Sequence, residues 1–181
     1  MRNEQVIVAA EEVLRAIKDS GGDAEVRTST LAFLLLVPTT DPRRGNLDGL
    51  VASANFQLVS PRSLRGALAD WPAVLRDLQE EEVAARTFVQ ETLIPYLATA
   101  IDLPDVYDWR LATTPSHRGT TDDAGGVNLA EDPLIRVPRD GQLANLIASR
   151  RYFSQLVISN ALDVQEELDA ILGGLREAVG H

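Results

Sequence analysis

The sequence predicts a mainly α fold: a helical bundle of about five or six helices, with a short strand or hairpin near residues 24–37 and a long ordered loop near residues 113–131. Three observations support this. Apolar residues recur at helical spacing over most of the 181 residues. Helix formers dominate the C-terminal segment 142–179. Gly and Pro cluster in a few places, so the helices are separated by defined breaks. The alternative is an α+β arrangement, with the N-terminal helix packed on a small sheet.

The first helix is the clearest. Val6, Ala9, Ala10, Val13, Leu14 and Ile17 follow the i, i+3, i+4, i+7 spacing of one face. Asn3 is placed to cap its start, and Gly21-Gly22 to end it. Ala24, Val26 and Thr28 then alternate with Glu25, Arg27 and Ser29, the two-residue period of a strand. The run Leu31 to Val37 is read as its continuation, with a short buried helix as the alternative because Leu and Ala are helix formers. Thr39 to Gly45 is a turn or loop.

Leu47, Leu50, Val51 and Ala54 suggest a further helix from Asn46. Ser60-Pro61 joins a capping residue to a proline suited to a first turn, and a helix through Leu64 and Leu68 follows. Asp70-Trp71-Pro72 reads as another such start. A helical stripe then runs from Val74 to Ile101, and Pro95 inside it predicts a kink or restart. Asp102 to Gly141 is the least regular stretch. The last segment carries Val157, Ala161, Val164, Leu168, Ile171 and Leu175 at spacings of 4, 3, 4, 3 and 4. This is the 3.5-residue period of a helix lying along another helix. Ser159-Asn160 and Gly173-Gly174 are its weak points. The chain is read as one domain, 1–181, with a long C-terminal helical segment 142–179.

Composition narrows the chemistry. With no Cys and two His, the chain has no disulfide framework, thiolate metal site or cysteine nucleophile, and a multi-His metal site is not expected. No cofactor is expected either. Lys+Arg number 17 against 27 Asp+Glu, a net charge of −10 that opposes a phosphate backbone, so nucleic acid is not an expected partner. The longest apolar run is far below the ~18–20 residues that span a bilayer. No signal peptide or membrane partner is expected, and the reading is cytoplasmic or part of a soluble particle.

The function read from the sequence is a non-enzymatic interaction or assembly subunit, a homo-oligomer or one bound to protein partners. A structural component of a large particle such as a phage virion falls in this class. The C-terminal helix and the long loop would make the contacts. Val157, Val164, Leu168, Ile171 and Leu175 are the candidate contact stripe. Arg150-Arg151 and Tyr107 with Trp109 join them, because Arg, Trp and Tyr dominate interface hot spots. One alternative is a small-molecule-binding or regulatory helical domain. The other is a hydrolase-type enzyme using carboxylates or His117, with Ser116, Asp122 or Asp123 beside it. Glu80-Glu81-Glu82 is read as a solvated helix face.

Overall fold

A computed structural model describes residues 2–40, 49, 59–60, 62–113 and 132–179. The described elements are helix α1 (Arg2–Asp19), strand β1 (Ala24–Arg27), helix α2 (Thr28–Leu34), helix α3 (Arg62–Phe88), a π-helical turn (Val89–Leu93), helix α4 (Ile94–Ala100), helix α5 (Pro104–Thr113), strand β2 (Leu134–Val137) and helix α6 (Gly141–Val179). The fold is mainly α with one small antiparallel sheet, as the sequence predicts. The helix expected from Asn46 and most of the loop expected at 113–131, with His117, lie outside the described residues.

The chain divides into two compact units. The first comprises Met1–Pro38 and Ala84–Gln155. Here α1 buries Val6, Ala9, Ala10, Val13 and Ile17, the face its spacing predicts. The helix starts at Arg2, so Asn3 sits inside its first turn rather than capping it. At its end Ser20 Oγ donates to the carbonyls of Ile17 and Gly22. Strand β1 pairs antiparallel with β2 in the register Ala24↔Val137, Val26↔Ile135. Its alternation buries Ala24 and Val26 and leaves Glu25 and Arg27 outside.

Beyond Arg27 the strand expectation fails. Thr28–Leu34 is a helix, and Thr28, Thr30, Leu31, Ala32 and Leu34 are all buried. A seven-residue helix is too short to hold itself in water. Distant side chains support both of its ends. Asp132 accepts from the Ser29 backbone N–H and hydroxyl, while Thr28 donates to the Pro133 carbonyl. At the other end Arg150 bonds the carbonyls of Leu34 and Leu36.

Pro95 produces a restart by way of a widened turn. The π turn places Pro95 in the first turn of α4, where a missing N–H is tolerated. Ala85, Val89, Leu93 and Leu97, four residues apart, stay buried through it. Pro72, by contrast, lies inside α3, which runs on through the start expected at Asp70-Trp71. The irregular stretch from Asp102 is also more ordered than its Pro content suggests. Helix α5 buries Val106 and lays Trp109 edge-to-face on Phe33, with ring centroids 5.7 Å apart.

The second unit comprises Thr39–Val83 and Leu156–His181. Within it α3 buries Leu64, Leu68, Trp71, Leu75 and Leu78, and α6 buries Val157, Val164 and Ile171. Both rows keep the 3.5-residue period. Neither Ser159-Asn160 nor Gly173-Gly174 breaks α6. Gly174 lies directly against Leu64, where an added Cβ would stand 2.7 Å from the Leu64 Cβ. Glu82 does not belong to a solvated face: it is buried, and its Oε1 accepts the Thr40 backbone N–H at 2.6 Å.

Candidate functional site

In the second unit, helix geometry decides which part of the C-terminal stripe is available. Gly174 touches Leu64, and Glu167 lies beside Asp70, so this side of α6 faces α3. At about 100° per residue, Leu175, Leu168 and Leu172 lie roughly 100°, 120° and 160° around the helix from Gly174. They are 44%, 37% and 47% exposed, and Leu162, further round, is 54% exposed. Val157, Val164 and Ile171 from the same stripe are buried within the chain. The stripe thus divides: one set packs the unit's own core and the other meets solvent. Leu172 lies off the 3.5-residue row and was not among the sequence candidates. The signal for it is its place four residues after Leu168, one turn along the adjacent edge.

The remaining candidates lie in the first unit. Tyr107 and Trp109 are partly buried against its core. Arg150 is 1% exposed. Its Nε donates to the Leu34 carbonyl at 2.9 Å, one terminal nitrogen donates to Ser154 Oγ at 2.8 Å, and the other to the Leu36 carbonyl. Burial pulls its pKa down to about 10, so it remains a cation at neutral pH. Arg151 is half-exposed and lies 3.9 Å from Glu11.

Two titrating groups carry expectations of their own. Tyr96 donates its hydroxyl to Asp140, which also caps α6 by accepting the Leu143 N–H at 2.6 Å. Burial, and then the bond to Asp140, push the Tyr96 pKa up to about 12. The bond from Tyr96, and then that from Leu143, hold the Asp140 carboxyl below its ordinary value. The folded state therefore keeps the Tyr96 proton that the unfolded chain releases near the ordinary tyrosine value of 10.0, and stability declines from there toward pH 12. A phenolate absorbance titration is expected to show a step toward pH 12, and Tyr96→Phe should remove it. A titration unchanged by Tyr96→Phe would contradict the assignment.

Glu167 shifts the other way from Asp140. Burial, then the nearby charges of Asp70 and Glu166, push its pKa above the ordinary 4.5. The folded chain holds this proton more tightly than the unfolded one, so stability falls as the pH rises from 4.5 through the raised value. Glu167→Gln is expected to raise the unfolding midpoint at neutral pH, by under ~1 kcal/mol, and to flatten that decline. A lower midpoint at neutral pH would show that the carboxylate stabilises the fold.

An open cleft of about 710 Å³ lies in the first unit between α1 and α2. Arg2 and Arg27 line it together with Glu4 and Glu12, around Val8 and Phe33. Its charges cancel in number and its walls mix polar with apolar surface. Among the described residues, no group of three or more His, Asp or Glu is placed to hold a metal, and no helix is long and apolar enough to cross a membrane.

Comparison with known protein families, curated proteins and solved structures returns no match. The residues themselves therefore carry the functional reading.

Proposed function

We propose that this chain is a non-enzymatic interaction subunit and that its contact surface is the C-terminal half of α6. The observation supporting this is the row of half-exposed leucines, Leu168, Leu172 and Leu175, beside a buried row on the same helix. Scattered exposed leucines are ordinary on a protein surface; leucines adjacent on one helix face form a patch suited to a partner. Fully burying a leucine is worth about 1.5–3 kcal/mol, and these are half covered already, so the three together contribute on the order of 3 kcal/mol. That is modest against the 4–15 kcal/mol cost of association, so a rim of polar contacts has to add to it.

The test is a photo-crosslinking residue at position 172 of the full chain, expressed in its native cells. Adducts to a defined protein species are expected at 172. They should fall several-fold when Leu168→Glu is added, and should not form from position 166 on the opposite side. Adducts no more abundant at 172 than at 166 would refute the reading.

A further inference from the structure

We propose that the occupant of the α6 leucine face is a second copy of this chain, laid antiparallel about a two-fold axis at Leu172; this rests on the reading of that face as a contact surface. The argument is one of self-complementarity. A two-fold axis brings together positions equally far on either side of it. With the axis at Leu172, that residue meets its own copy. Leu168, four residues before, and Leu175, three residues after, come within one residue of the same level, about 1.5 Å along the helix.

The charged row beside the leucines fits the same axis. Asp169 and Arg176 stand seven residues apart on one edge, two turns from each other. Asp169 lies three residues before Leu172 and Arg176 four after, so each meets the opposite charge of the other copy. In a parallel pair a two-fold axis places like edges on opposite sides of the seam, so Asp169 and Arg176 would not meet the charged row of the other copy. Charge therefore selects the antiparallel arrangement.

The other acidic residues do not oppose it. Asp163, Glu166 and Glu177 lie about 140–170° around the helix from the leucine row, and Glu167 faces α3. The net charge of −10 acts against any self-association, but over a Debye length of only about 8 Å at physiological salt. The paired length is short and the leucines few, so the dimer belongs to the weak class of interfaces.

The absence of Cys makes the test direct, because any cysteine introduced into the full chain is unique. A disulfide needs Cα atoms roughly 4.4–6.8 Å apart. Under mild oxidation of dilute protein, Leu172→Cys is expected to give a disulfide-linked dimer. Asp169→Cys mixed with Arg176→Cys should give the mixed dimer in several-fold excess over either homodimer. Circular dichroism would verify that each variant keeps its helix content. As a second measurement, Asp169→Arg should weaken association several-fold in sedimentation, and adding Arg176→Asp should restore it.

A mixed dimer no more abundant than the two homodimers would overturn the proposal. So would a wild-type chain that stays monomeric at about 100 μM while Leu172→Cys forms no disulfide. If the photo-adduct at 172 nevertheless forms with a different protein, the contact-surface reading stands and only the identity of the occupant fails. If no adduct forms either, both fail.

Discussion

Replacing Arg150 by methionine is expected to destabilise the first unit by about 3 kcal/mol or more. The guanidinium is buried and donates to the Leu34 and Leu36 carbonyls and to Ser154, with no carboxylate among these partners. Methionine fills much of the same space but accepts and donates nothing useful to these groups. Each buried polar group left unpaired costs about 1–3 kcal/mol. Against this, removing the cation also removes the penalty for burying it, so the net loss is smaller than the sum. Lysine keeps the charge but not the planar fork, and a single ammonium does not reach three acceptors set around a guanidinium. Arg150→Lys should therefore fall between methionine and wild type. Arg151→Met is the matched control. That arginine is half-exposed and its ion pair with Glu11 spans 3.9 Å, so its loss should change stability by less than about 1 kcal/mol. The chain has two tryptophans, with Trp109 in the first unit and Trp71 in the second. Denaturation followed by Trp109 in a Trp71→Phe background places the probe in the first unit. A midpoint for Arg150→Met equal to that of Arg151→Met would show that the guanidinium does not hold this unit together.

The neighbouring glycines of α6 are expected to respond with opposite signs. An added Cβ at Gly174 would stand 2.7 Å from the Leu64 Cβ and 3.1 Å from the Leu64 Cα, so the backbone of α3 would have to move. Overpacking of that kind costs about 1–3 kcal/mol, more than the helix-propensity gain of about 1 kcal/mol from replacing a glycine. At Gly173 nothing lies within 4 Å of the added Cβ, so only the gain remains. Gly174→Ala should destabilise the second unit by about 1–2 kcal/mol, and Gly174→Val by more. Gly173→Ala should stabilise it by about 0.5–1 kcal/mol. Trp71 fluorescence in a Trp109→Phe background is the appropriate probe. If both alanine variants gain stability, the close approach of α6 to α3 at Leu64 is not maintained in solution.

These two residues also mark what the sequence reveals and what it hides. The faces of α1 and α6 were legible because a helix spanning several turns repeats its own pattern, and Val6 to Ile17 or Val157 to Ile171 need no outside information. The Leu31–Val37 run was not. Its local pattern is equally apolar on every side, and the choice of helix over strand rests on Asp132 and Arg150, more than a hundred residues away. Likewise Gly173-Gly174 carries a strong local signal for a break, and only the approach of Leu64 explains why a glycine stands at 174 inside a continuous helix. For the candidate site, the 3.5-residue row marks the C-terminal helix as the one to inspect. It could not tell which of its members the chain's own core would cover, and it passed over Leu172.

The pairing of β1 with β2 bears on how this chain folds. The bonds from Thr28 and Ser29 to Pro133 and Asp132 join residues 105 and 103 positions apart. Closing a loop of that length carries a length-dependent entropy of about 4 kcal/mol, incurred before four-residue strands return anything. The sheet is therefore expected to form late, after α1 and α6 have their own turns, so that substitutions in it should speed unfolding more than they slow folding. On the ribosome the same topology keeps the first unit waiting. Residues 2–38 emerge early, yet the strand, the caps and the arginine that fix them arrive only after the 39–83 segment of the other unit has been made.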